Sequence, residues 1–162
     1  RYFNCYGPRQ TAQFVIPRFI KQVRGDMSPT LYGDGKQIRS YTYVSDTASA
    51  TALAAFSEKT NSEVINVGNG DQPISLIDLA RLVIKLSGKQ GKIVSEILNS
   101  FDGADRHVSR EIYARYCNAT KIKKLLNWKP QISLEEGLKN VFNTEKIFDG
   151  WANVYDEYDE ET

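Results

Sequence analysis

Tyr32-Gly-Asp-Gly-Lys-Gln-Ile-Arg-Ser-Tyr-Thr-Tyr-Val-Ser-Asp46 is the stretch on which the fold turns. Gly33 and Gly35 can take the positive φ that side chains disfavour, so Gly-Asp-Gly reads as a turn. Ile38, Tyr41, Tyr43 and Val44 are β-formers and predict a short strand beyond it. Ser45 and Asp46 are N-cap candidates for a helix over about 46–58. Turn, strand and helix start would hold one arginine, Arg39, at a strand end outside the core.

Outward from this stretch, strands and helices alternate, which predicts an α/β chain. Tyr2, Phe3, Cys5 and Tyr6 form an opening strand that turns at Gly7-Pro8. Pro17 suits the first turn of a helix running through Phe19, Ile20 and Val23 to about Gly25. Ala48, Ala50, Ala54 and Ala55 would let the next helix pack closely, and Val64-Ile-Asn-Val67 reads as a short buried strand. Ser75-Leu-Ile-Asp78 and Ser133-Leu-Glu-Glu136 have capping-box spacing, each ahead of an amphipathic run. Asn118 reads as the cap of a helix through Ile122, and Asn127 as its left-handed end.

At 162 residues, with 41% hydrophobic and 25% charged residues, the composition is that of one soluble globular domain. No apolar run approaches the ~20 residues of a membrane span. Cys5 and Cys117 are far apart without metal-type spacing, and His107 is the sole histidine, so no metal centre is expected. Residues 1–144 carry 20 Lys and Arg against 13 Asp and Glu; residues 145–162 carry one Lys against seven acids. The body suits an anionic ligand, and the acidic end reads as a frayed tail. Charge alone fits nucleic acid as well as a phosphorylated metabolite, but no nucleic-acid recognition motif accompanies it.

Gly33-Asp-Gly-Lys36 fails as a phosphate loop, with Thr30 where a glycine is needed and Gln37 where Ser or Thr is needed. Gly68-Asn-Gly70 lacks the third glycine of a dinucleotide fingerprint. The residues therefore offer a binding surface, and no catalytic residue is expected in this chain.

Arg1-Tyr-Phe-Asn-Cys-Tyr-Gly-Pro-Arg9, Val15-Ile-Pro17, Tyr32 to Arg39, Tyr43-Val-Ser-Asp46, Ile65-Asn-Val-Gly68 and Lys121 to Pro130 with Leu134 to Leu138 occur in one order. Together they resemble the extended short-chain dehydrogenase/reductase family, the NAD-dependent nucleotide-sugar epimerases, dehydratases and decarboxylases, over about residues 1–142. The resemblance is to the carboxy-terminal half: a substrate-binding part with a small mixed sheet and helices. It implies that the amino-terminal Rossmann half, with the catalytic tyrosine and lysine and most of the NAD site, lies in a segment preceding Arg1. Residues 1–144 would form the nucleotide-sugar binding domain, with 1–7 the last strand region of the missing half.

The family likeness also implies residue roles. Arg39 would contact the diphosphate of a nucleotide-diphosphate sugar, its planar fork suiting phosphate oxygens better than lysine. Asn4 would meet the substrate, Cys5 would lie near the nicotinamide, and Arg115 would close over the phosphates. Tyr32, Gln37, Arg18 and Asn69 complete the expected substrate site. The implied partner set is a nucleotide-diphosphate sugar and a second copy of the parent enzyme, with no nucleic acid or membrane, in the cytoplasm. The subclass stays open among dTDP-glucose dehydratase, UDP-sugar epimerase and UDP-glucuronate decarboxylase types. A non-catalytic nucleotide-sugar binding or assembly module is the alternative.

Overall fold

The computed structural model describes residues 1–98 and 111–143. Among them the order is β1 (Cys5–Tyr6), α1 (Val15–Arg24), β2 (Thr30–Tyr32), β3 (Ile38–Arg39), β4 (Thr42–Tyr43), α2 (Val44–Ala55), a 3₁₀ turn (Glu58–Thr60), β5 (Ile74–Ser75), α3 (Leu76–Leu86), β6 (Glu96–Leu98), β7 (Ala114–Arg115), α4 (Thr120–Leu126) and α5 (Leu134–Phe142). The α/β alternation holds, but the strands are short and form three small sheets. β1 pairs parallel with β4, β2 parallel with β6, and β3 lies between antiparallel β5 and parallel β7. The acidic tail and His107 fall outside the described residues.

The central stretch folds as a turn followed by two strand pieces. Gly33 and Gly35 take φ of 74° and 69°. The strand breaks at Ser40-Tyr41 because its two ends serve different sheets: Arg39 pairs with Ile74 and Arg115, Thr42 with Cys5. The expected N-cap is corrected. α2 begins at Val44, with Tyr43 at its boundary, so Ser45 and Asp46 are already helical. Asp46 is buried, and its carboxylate accepts the backbone N–H groups of Gln131 and Ile132, each at 3.0 Å. It caps a distant loop instead of its own helix.

Two apolar cores result. The larger joins Ile16, Phe19, Ile20 and Val23 of α1 to Leu79 and Val83 of α3 and Leu138 and Val141 of α5, with Tyr6, Leu31 and Tyr41 beneath. These are the residues that helical spacing predicts, and the serine half of each capping box forms: Ser75 accepts from Asp78 N–H and Ser133 from Glu136 N–H. The smaller core gathers Ala50, Ile65, Val67, Ile122 and Trp128. Of the five α2 alanines only Ala50 is fully buried.

Three further expectations shift in detail. The segment 64–67 is not a strand; a single parallel bridge joins Tyr2 to Val67. Asn118 sits one residue ahead of the helix boundary at Ala119, and its Oδ1 accepts from Thr120 N–H at 3.0 Å. Asn127 does take the left-handed end, at φ 52°. Among the described residues no helix is long and apolar enough to cross a membrane.

Candidate functional site

The turn after β2, the end of β3 and the start of α1 converge on a cavity of about 290 Å³. It is lined by Asn4, Arg18, Tyr32, Gln37, Arg39 and Arg115, together with Phe14, Tyr41, Leu76 and Glu111. Six of the seven expected substrate-site residues thus meet around one space, drawn from stretches over a hundred positions apart in sequence.

Arg39 departs from its expected setting. It ends β3 as expected, but it is buried within the fold, at 6% exposure, instead of lying outside the core. Its Nη1 donates to the carbonyls of Ile38 (2.8 Å) and Tyr113 (3.4 Å). Its Nη2 donates to Glu111 Oε1 at 2.7 Å in an ion pair whose two side chains are 7% and 14% exposed. A buried guanidinium needs such partners, because an unpaired buried charge costs several kcal/mol. Of its five N–H donors, Nε–H and one Nη2 hydrogen are not used in these contacts.

The other lining groups are held as firmly. Asn4 takes a left-handed φ of 41°, and its amide donates to Ser40 carbonyl at 2.8 Å. Its Oδ1 accepts from Arg115 Nη2 at 3.3 Å, so the exposed Arg115 is drawn toward the cavity. Gln37, 3% exposed, donates through Nε2 to Tyr32 carbonyl at 3.1 Å, which fixes the turn from inside. The Arg18 guanidinium stands 6.0 Å from the Tyr32 ring centroid, within cation–π range.

Two expected residues lie elsewhere. Asn69 is buried behind the wall: its N–H donates to Thr42 Oγ1 at 2.9 Å and its side chain serves Asp71 and Gln72. That is loop-holding work, so the placement with the substrate residues is corrected. Cys5 lines a neighbouring cavity of about 280 Å³ with Asn4, Tyr6, Gln10 and Tyr41. Asn4 borders both spaces. Tyr6, between them and the core, has its hydroxyl pKa driven up by burial, with Tyr43 and Asp46 adding to the effect.

Tyr32 and Lys36 stand four residues apart, the spacing of the family's catalytic tyrosine and lysine. Four residues face the same way on a helix. Here Tyr32 ends β2, while Lys36 follows the glycine turn, exposed, with its backbone N–H on Asp34 Oδ1 at 2.9 Å. The two residues therefore do not share a helix face as that spacing would give on a helix.

Glu111 is the charged lining residue that sequence reasoning misses. It lies 72 positions from Arg39, in a run crowded with charges, and no local pattern marks it.

With this geometry in hand, the family is defined by comparison. A family model described as GDP-mannose 4,6 dehydratase matches residues 1–141. UDP-glucuronate 4-epimerase of Thermodesulfobacterium geofontis is 40% identical over 146 residues, spanning 90% of this chain and 42% of that protein. UDP-N-acetyl-alpha-D-glucosaminuronate decarboxylase of Bacillus cytotoxicus is 41% identical over 142 residues, spanning 86% of this chain and 43% of that one. The solved UDP-glucuronic acid 4-epimerase of Bacillus cereus, in complex with UDP-glucuronic acid and NAD, is 33% identical with a TM-score of 0.76, covering 88% of this chain and 43% of its own. The chain belongs to the extended short-chain dehydrogenase/reductase family of nucleotide-sugar epimerases and dehydratases. It spans less than half the length of these relatives.

Proposed function

We propose that this chain is the nucleotide-sugar binding part of an NAD-dependent epimerase, dehydratase or decarboxylase. The observation that carries the reading is the meeting of Asn4, Arg18, Tyr32, Gln37, Arg39 and Arg115 around one cavity. Three cations, an aromatic face and two amides are the donor set that a nucleoside diphosphate requires. The unused edge of Arg39 would take phosphate oxygens, Arg115, its neighbour on the adjoining strand, would close beside it, and Tyr32 would meet the base or ribose.

The second cavity fits the other half of such a site. Its wall of Asn4, Cys5, Tyr6 and Tyr41 joins aromatic surface to amide groups, which suits a nicotinamide ring. NAD, when bound, supplies reversible hydride acceptance from the sugar. This chain would border the ring and orient the sugar against it. Relatives near 40% identity are named for UDP-uronates, while the human dTDP-D-glucose 4,6-dehydratase is 28% identical, which favours a UDP-sugar over a dTDP-sugar. The likeness to the family is also the support for placing the whole protein in the cytoplasm as a homodimer acting as an isomerase or lyase.

Calorimetric titration of the chain with UDP-glucuronate, UDP-glucose, dTDP-glucose and a single-stranded oligonucleotide tests this reading. Binding of UDP-sugars ahead of dTDP-glucose, and none of the oligonucleotide, is expected. Oligonucleotide binding without UDP-sugar binding would overturn it. With NAD present, the chain alone is expected to convert none of the sugars, since Tyr32 and Lys36, the described residues with tyrosine–lysine spacing, lie on a strand end and beyond a turn and not on one helix face.

A further inference from the structure

Among the described residues that line the main cavity, Glu111 is the only acid. It heads a segment, residues 111–115, that crosses to β3 and brings Arg115 to Asn4. Little apolar burial holds this segment: Ile112 and Tyr113 are 46% and 55% exposed. Its backbone contributes a two-residue ladder, Ile38 to Ala114 and Arg39 to Arg115, and one bond from Ile38 N–H to Tyr113 carbonyl at 2.7 Å. A ladder this short is marginal unless side chains support it. That support comes from the Arg39–Glu111 pair, well shielded from water and reinforced by Arg39 Nη1 on the Tyr113 carbonyl, with Arg115 Nη2 on Asn4 Oδ1 at the far end.

We propose that Glu111 is a positioning residue for ligand binding: its carboxylate clasps Arg39 and docks the 111–115 segment, so that Arg39 and Arg115 are presented to the cavity together. The proposal rests on the reading that this cavity takes a nucleoside diphosphate. One carboxylate oxygen occupies Nη2 and leaves Nε–H and the second Nη2 hydrogen for a phosphate. Arg39 is therefore oriented without being consumed. Arg115, on an exposed two-residue strand, owes its place to the same clasp. Glu111 touches the arginine and the segment, and acts on the ligand through them.

The test compares Glu111→Ala and Glu111→Gln in the chain by calorimetry with UDP-glucuronate and with uridine, and by hydrogen exchange of the Ile38 amide without ligand. Glu111→Ala is expected to weaken UDP-glucuronate binding about tenfold, the scale of a lost charge-assisted hydrogen bond, and to leave uridine unchanged. Exchange at Ile38 should rise, and adding Arg115→Ala should then cost little more, because Arg115 has already lost its place. Glu111→Gln keeps the acceptor and the shape, and should retain Ile38 protection with an intermediate affinity. It also keeps the test open if the alanine variant unfolds. Unchanged Ile38 exchange together with unchanged or tighter UDP-glucuronate binding would overturn the proposal, since the carboxylate would then merely compete with phosphate for Arg39. If the unsubstituted chain binds no nucleotide while Ile38 exchange still responds to Glu111→Ala, the docking role stands and the ligand reading alone falls.

Discussion

Arg39 and Asp46 sit seven residues apart in one stretch, both charged and both buried, at 6% and 3% exposure. Their surroundings settle them in opposite ways. Asp46 gives one carboxylate oxygen to Gln131 N–H and the other to Ile132 N–H, and lines neither cavity beside the site. Arg39 is tied by two carbonyls and one carboxylate, keeps unused donors, and lines the cavity. A buried charge that meets backbone donors away from any cavity has a structural reason for its place; one with spare donors beside a cavity is a candidate for holding a ligand. The difference lies in what is left over after structural bonds are counted, and burial alone does not reveal it.

Asp46→Ala offers the strongest way to break this comparison. Two backbone donors would lose a charged acceptor inside the fold, at roughly 1.5–3 kcal/mol per bond, so a loss of about 4 kcal/mol in unfolding free energy is expected. Chemical denaturation measures it. Residual folded protein should bind UDP-glucuronate as before, and a selective loss of affinity with normal stability would move Asp46 into the site and dissolve the contrast.

Arg39→Ala should act chiefly on binding, weakening nucleotide-sugar affinity by about 3 kcal/mol by titration calorimetry, as truncation of a buried charged partner does. It should also reduce stability by about 1–2 kcal/mol, because Glu111 would remain partly buried without its cation. Arg39→Lys separates the two effects. The ammonium can still neutralise Glu111, so stability should largely return. Without the planar fork, affinity should stay about 1.5 kcal/mol below that of the unsubstituted chain. Full recovery of affinity in Arg39→Lys would mean that only charge matters at this point.

How far the sequence discloses this arrangement depends on whether each signal is local. Gly33 and Gly35, the serine caps at Ser75 and Ser133 and the apolar stripes of α1, α3 and α5 are read from neighbours within a turn, and they form as expected. Four of the six expected residues at the cavity, Asn4, Tyr32, Gln37 and Arg39, lie in the quoted family motifs, while Arg18 and Arg115 lie outside them. Asp46 was misread because a carboxylate just before a helix has a local explanation, while its actual donors lie 85 and 86 residues away. Glu111 was invisible for the same reason, and Asn69 was misplaced because a loop asparagine beside glycines resembles a ligand contact until its bonds are seen. The strand expected over 64–67 failed since two residues of apolar alternation do not reveal how much partner backbone is present. Contacts across the fold, and the choice between structural and ligand-directed polar groups, belong to the tertiary structure.

The smallest expected effect is a control on exposed charge. Asp78 is exposed, and its pKa lies below the ordinary carboxylate value because Ser75 donates to it, at 2.6 Å, with Arg81 assisting. A carboxyl whose folded pKa is depressed contributes stability above its unfolded pKa, near 3.9, and loses it as pH falls through the folded value. Ser75→Ala removes both this donor and the acceptor for Asp78 N–H, and should cost about 1 kcal/mol at neutral pH, the usual worth of an N-cap. Part of that difference should shrink between about pH 5 and pH 2, as Asp78 becomes protonated in both proteins, while the hydroxyl's own bond to Asp78 N–H persists. Solvent screening keeps the pH-dependent part small. Nucleotide-sugar affinity should not change, because Ser75 and Asp78 lie outside the cavity lining. A pH-independent deficit would assign the cap wholly to the hydroxyl. A loss of affinity would instead show that β5, paired to β3 at Arg39, transmits strain into the site, and that the boundary between fold-holding and ligand-facing charge runs closer to the surface than Arg39 and Asp46 imply.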